Sequence, residues 1–113
     1  MIFNSLLIAN RGEIAVRIIE TAHEMGIRCI AIYVDADANA PFVRAADEAV
    51  HLPDGGYLDI DLVIDAAKRT GAQAIHPGYG FLSENASFAR KVLKENMVWV
   101  TPSPHVISVN GDK

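Results

Sequence analysis

Ten consecutive residues, His76-Pro77-Gly78-Tyr79-Gly80-Phe81-Leu82-Ser83-Glu84-Asn85, place two glycines, a proline, an exposed aromatic and a carboxylate between an apolar strand and a helical pattern. Glycine tolerates positive φ and lets a ligand approach the backbone. The tyrosine offers a flat ring and Glu84 an acceptor for a cation, so the segment reads as a loop built to make contact. Apolar Ala74-Ile75 runs straight into it, and Ser83-Glu84 closes it at the start of a helical pattern. In open α/β sheets the edge where strands hand over to helices is where ligands bind.

Other candidate chemistries fare less well. The first strand exit, Leu7-Ile8-Ala9-Asn10-Arg11-Gly12-Glu13, has one glycine where a dinucleotide fold needs several, so a nicotinamide or flavin site is disfavoured. Asp35 then reads as a solvated turn acid and not as a ribose ligand. A phosphoacceptor site would want acids after the first strand, and the chain has Ala9 and Asn10 there. His76 precedes proline, which pushes it toward extended backbone, and it has no second histidine or cysteine at ligand spacing. It reads as structural, as do His23, His51 and His105; no metal site is expected.

These residues need a scaffold, and continuous apolar runs alternating with helix-period segments predict one: parallel strands covered on both faces by helices. The expected fold is α/β, a Rossmann-like parallel sheet of about five strands. Strands are expected at 5–9, 28–34, 49–52, 72–76 and 98–101. The first helix is expected to use Asn10 as N-cap with Glu13 in a capping box, to bury Ile14, Ile18, Ile19 and Ala22, and to end near Gly26. A second should start at Asp59 with Leu58 and Val63 as a hydrophobic staple and finish at Lys68, Arg69 and Gly71. A third should run from about Glu84 to Lys94 behind Ser83, and a short fourth should begin at Ser103-Pro104. Parallel topology would bring residues 10–12, 35–37 and 76–84 to one edge.

The 113 residues suit one domain, half of them hydrophobic, with a net charge of −4. Scattered Lys and Arg give no footprint for nucleic acid, and no long apolar span suggests a membrane. The one cysteine, Cys29, lies in an apolar run and reads as a buried thiol, which fits a reducing compartment such as the cytoplasm. The amino terminus lacks a basic n-region and reads as a strand instead of a signal peptide.

Four segments taken together are specific. Ile8-Ala9-Asn10-Arg11-Gly12-Glu13-Ile14-Ala15-Val16-Arg17, Ala46-Asp47-Glu48-Ala49-Val50, residues 76–85 and Gly111-Asp112-Lys113 resemble, in order and spacing, the amino-terminal domain of biotin carboxylase. That family is the ATP-dependent component of acetyl-, propionyl-, methylcrotonyl-, pyruvate- and urea-type biotin enzymes. The resemblance covers essentially the whole chain. It implies residues 1–110 as the pre-ATP-grasp domain and 111–113 as the start of a linker into an ATP-grasp domain. It also implies a shared site in which Mg-ATP phosphorylates bicarbonate and biotin captures the carbon dioxide released. This chain would supply one wall and be silent alone.

By the same resemblance, Tyr79 and Gly80 lie beside biotin, Glu84 lies at the rim, and Lys113 meets ATP phosphates. The bland readings stand beside these: a tyrosine packed by one edge, a turn glycine, and a glutamate stabilising a helix dipole. ATP, Mg2+ and biotin are the implied cofactors. The missing ATP-grasp and carboxy-terminal domains, a biotin carboxyl carrier domain and a carboxyltransferase are the implied partners. The first helix would lie in a homodimer contact, but Glu20 stands where arginine is common, so Glu20 and Glu24 would repel across it. Glu13 and Arg17 read as an i,i+4 pair on the same solvated face. Phe42 replacing a common histidine, Thr101 replacing a frequent glycine and a short 52–57 connection are milder departures. The readings set against the enzyme fragment are a stand-alone binding module that presents this loop and a structural relic of the domain.

Overall fold

The computed structural model describes residues 3–100. Five parallel strands form its sheet: β1 (Ser5–Ile8), β2 (Arg28–Tyr33), β3 (Glu48–His51), β4 (Ala74–His76) and β5 (Val98–Trp99), in the order β3-β2-β1-β4-β5. The helices are α1 (Gly12–Glu24), α2 (Pro41–Ala45), α3 (Ile60–Thr70) and α4 (Ala86–Lys94), with 3-10 turns at Asp35–Asp37 and Gly56–Leu58. The Rossmann-like sheet expected from the sequence is present, with each described strand within two residues of its expected bounds.

Alternate residues of the buried strands face opposite ways and build two cores. Leu7, Ile30, Ile32 and Ile75 pack against Val63, Ala66, Phe88 and Val92 of α3 and α4. Leu6, Ile8, Cys29 and Ala31 pack on the other face against Ala15, Ile19 and Ala22 of α1 and Phe42 of α2. Trp99 is fully buried and meets Phe88 edge to face, with ring centroids 5.2 Å apart; such pairs contribute about 0.5–1.5 kcal/mol beyond their burial. Among the described residues no helix is long and apolar enough to cross a membrane.

The chain leaves β1 toward β2 on one side and returns through α3 to β4 on the other. The sheet therefore reverses its winding between β1 and β4, and their carboxyl ends splay into a crevice, the usual ligand position of such folds.

Several local expectations are corrected. The residue before α1 is Arg11, in extended conformation with no side-chain cap, so the Asn10–Glu13 capping box does not form. Asn10 is buried, and its amide serves the 77–79 loop instead. On α1, Ala15 joins Ile19 and Ala22 in the core, while Ile14 and Ile18 are half-buried at its margin. Glu13 and Arg17 form no ion pair; both are solvated. Asp59 caps α3 as expected, its carboxylate accepting the Leu62 N–H at 3.1 Å, and Gly71 ends it at φ 74°. Leu58 is exposed, so there is no staple; the turn at 56–58 sends Tyr57 inward in its place. Helix α4 begins two residues later than expected, because Asn85 and not Ser83 caps it, accepting the Phe88 N–H at 2.9 Å. Glu84 thus precedes the cap and does not occupy the first helical turn. The expected helix at Ser103-Pro104, strand residue Thr101, His105, Lys113 and the boundary at residue 110 lie outside the described residues.

Candidate functional site

The 76–85 loop is fastened at its base by three groups that water reaches poorly. Asn10 donates through Nδ2 to the carbonyl oxygens of Pro77 at 2.8 Å and Tyr79 at 2.6 Å, while its Oδ1 accepts the Arg11 N–H at 2.8 Å. Only a primary amide combines two donors and an acceptor in so small a volume. His76 accepts the Gly78 N–H through Nδ1 at 3.1 Å. Burial holds its imidazole neutral, with the pKa lowered to about 4, which keeps that nitrogen an acceptor. Gly78 has φ 65°, and a Cβ there would lie 2.6 Å from Asn10 Nδ2, so the loop backbone approaches the amide as closely as glycine permits.

Beyond this base the chain turns twice, with Ser83 N–H bonding Gly80 O at 2.8 Å and Asn85 N–H bonding Leu82 O at 3.1 Å. Gly80 sits at φ 71° with open space where a side chain would be. Tyr79 projects outward, 59% exposed. It lines a crevice of about 420 Å3 together with Asn10, Arg11, Gly12, Ile14 and Phe81. Tyr79 also lines a second recess, with Ile14, Arg17, Ile18 and His76. Glu84 is exposed and makes no ion pair among the described residues.

A second set of interactions braces the far side of the loop. Arg11 donates from Nε and Nη2 to the two oxygens of buried Asp37, at 2.6 and 2.5 Å, and the Tyr57 hydroxyl donates to Asp37 Oδ2 at 2.6 Å. The Arg11 hydrogen bonds, then that of Tyr57, hold the Asp37 carboxyl below its ordinary range; burial opposes them but is outweighed. The Tyr57 hydroxyl is pushed up first by desolvation, then by Asp37. The Phe81 ring stacks on Tyr57 with centroids 5.3 Å apart. Phe81 holds φ 46°, a left-handed conformation unfavourable for a residue with a side chain; the stacking offsets part of that cost.

The structure brings residues 10–12, 35–37 and 76–84 to one edge, as parallel topology requires. Tyr79, Gly80 and Glu84 all stand on that edge. Asp35 is a solvated turn acid beside His51. Asn10, Asp37 and Tyr57 escaped the sequence reading as loop supports, because their partners lie 67 to 69 residues away for Asn10 and 20 or 26 away for the pairs at Asp37.

A Rossmann-like sheet with a braced, glycine-flanked aromatic at its switch point defines a class: an α/β domain with an open crevice at the carboxyl edge of its sheet. The profile of the family "biotin carboxylase, N-terminal domain" matches residues 2–107. The chain belongs to that family. It is 50% identical over 115 residues to the mitochondrial propionyl-CoA carboxylase alpha chain of Rattus norvegicus, covering 98% of this chain and 16% of that one. To biotin carboxylase 2 of Bacillus subtilis it is 48% identical, covering 98% and 26%. Among solved structures, the biotin carboxylase domain dimer of Hydrogenobacter thermophilus 2-oxoglutarate carboxylase, in complex with MgADP, ADP and bicarbonate, superposes with a TM-score of 0.85. That match has 42% identity over 88% of this chain and 22% of that chain. Kluyveromyces lactis urea amidolyase gives 0.83 at 54% identity, over 86% and 6%. The chain thus spans about a quarter or less of each of these relatives.

Proposed function

We propose that this domain forms one wall of a biotin carboxylase site in a longer enzyme, an acyl-CoA carboxylase of acetyl or propionyl type, and that the wall is the Tyr79-Gly80 face of the loop. The observation that supports this most is the exposed Tyr79 side chain, carried on a backbone that Asn10 and His76 hold at the crevice between β1 and β4. A flat ring beside a glycine with open space above it suits a flat bicyclic ureido group. Bound biotin would supply the nucleophilic ureido nitrogen, and the residues here would bind and orient its ring. Glu84, exposed at the rim, is placed to accept from an arginine of a neighbouring domain.

The β1–α1 turn has a single glycine and no nucleotide cradle, so ATP and Mg2+ are assigned to the ATP-grasp domain that would follow, with Lys113 reaching its phosphates. A carrier domain would bring biotin, and a separate carboxyltransferase would choose the acceptor. That division fits a family whose members are named for propionyl-CoA, methylcrotonoyl-CoA and urea. The cytoplasm is the proposed setting, on the strength of the one buried thiol.

The test is a chimera in which this chain replaces the corresponding segment of Bacillus subtilis biotin carboxylase 2, with which it shares 48% identity. The chimera is expected to carboxylate free biotin with ATP and bicarbonate. The 113-residue chain alone is expected to show no bicarbonate-dependent ATP hydrolysis. A folded but inactive chimera, or ATP hydrolysis by the lone chain, would overturn the reading.

A further inference from the structure

At the opposite, amino-terminal edge of the sheet, three different metal-ligating side chains meet from three elements: His23 in the last turn of α1, Cys29 in β2 and Asp47 just before β3. Their donor atoms all lie within 4.8 Å of one another. His23 Nε2 stands 2.8 Å from Asp47 Oδ2, which also accepts the Cys29 N–H at 2.8 Å. The thiol is fully buried next to this pair, and among the described residues its one polar partner is the Ile27 carbonyl at 3.7 Å.

We propose that His23, Cys29 and Asp47 form a site for one divalent cation of borderline softness, with Zn2+ the best chemical fit. Thiolate, imidazole and carboxylate are the zinc donor set, whereas Mg2+ and Ca2+ want oxygen. Bonds of about 2.0–2.3 Å put tetrahedral ligand atoms roughly 3.3–3.7 Å apart, so His23 and Asp47, now 2.8 Å apart, must open by about 0.5–1 Å while the wider separations, none above 4.8 Å, close by up to about 1 Å. His23 and Asp47 can do this because both are about half exposed, and that side leaves the fourth position to water. On binding, the Cys29 S–H proton leaves to solvent and the metal–sulfur bond replaces it. Sequence spacing conceals this site, because the fold alone closes the gaps of 6 and 18 residues between the ligands.

The experiment is titration of the purified 113-residue chain with Co2+, followed by displacement with Zn2+. Cys29 is the only cysteine, so a near-ultraviolet thiolate-to-cobalt charge-transfer band reports this site alone. The expected result is that band with tetrahedral visible bands, saturating at one equivalent and erased by Zn2+. Cys29→Ser should abolish the band, and His23→Asn should weaken binding at least about tenfold. His23 is on the surface, so its variant decides the matter even if Cys29→Ser fails to fold. No charge-transfer band at saturating Co2+, or a titration unchanged in His23→Asn, would overturn the proposal.

Discussion

Asn10 is the residue on which the loop turns. Removing its amide leaves the Pro77 and Tyr79 carbonyls without a donor, each loss costing about 1–3 kcal/mol where water cannot replace it. The two glycines of the loop, Gly78 beside this amide and Gly80 away from it, should therefore respond differently to alanine. Gly80→Ala meets only the penalty of a left-handed backbone, about 1–2 kcal/mol, whereas Gly78→Ala must also displace Asn10. Urea denaturation should show Gly78→Ala to be the more destabilising by at least about 2 kcal/mol; equal losses would contradict the close approach.

His76 sets a pH dependence at the same scale. Its folded pKa of about 4 lies below the ordinary 6.5, so between those values the unfolded chain binds more protons. Its contribution is complete above pH 6.5 and is lost as the pH falls toward 4, up to roughly 3 kcal/mol. Asp37, also depressed, acts in the same sense at lower pH: its contribution is present above the unfolded carboxylate value and lost as the pH falls through the folded one. Unfolding free energy should decline across pH 6.5–4, and His76→Asn should flatten that decline. An unchanged slope in the variant would contradict the role given to burial.

At the scale of elements, the cap residues carry separable predictions. Asp59→Ala and Asn85→Ala each remove one side-chain acceptor from a helix N-terminus and should cost about 1 kcal/mol. Ser83→Ala should leave the α4 terminus capped, and thermal melts of the three variants distinguish these assignments. On α1, exposed Glu20 and Glu24 would face like charges across a homodimer contact, so sedimentation at micromolar concentration should find a monomer. A tight dimer would contradict that.

Strands and helices were legible because their signals are local: the apolar runs at Leu6-Leu7-Ile8 and Cys29-Ile30-Ala31-Ile32, the Asp59 cap, and Gly71 after Lys68 and Arg69. Errors came where a distant group outbid a local one. Asn10 has the right type and spacing for a capping box, yet two carbonyls almost seventy residues away claim its amide. Leu58 is placed for a staple, but Tyr57 can reach Asp37 and takes the buried position. Of the candidate site, the exposed residues Tyr79, Gly80 and Glu84 were readable from the loop's composition. The brace of Arg11, Asp37, Tyr57 and Phe81 was not, since nothing in a linear pattern pairs them.

Across the whole molecule, the winding order places the β1 and β4 exits side by side and leaves the crevice open to a neighbour. Folding alone thus yields a prepared surface, and the chemistry proposed for it needs the domains that complete its relatives. An apolar groove of about 350 Å3 beside α1, lined by Phe3, Leu6, Ile18, Met25, Ile27 and Val100, gives the described part of the domain a second unfilled face. The most direct test of the account is the steady-state KM for free biotin of the chimeric enzyme carrying Tyr79→Ala. A stacking contact of about 0.5–1.5 kcal/mol predicts a rise of roughly two- to tenfold, with Tyr79→Phe near the parent value. An unchanged KM in a folded, active Tyr79→Ala enzyme would contradict the claim that this ring faces the substrate.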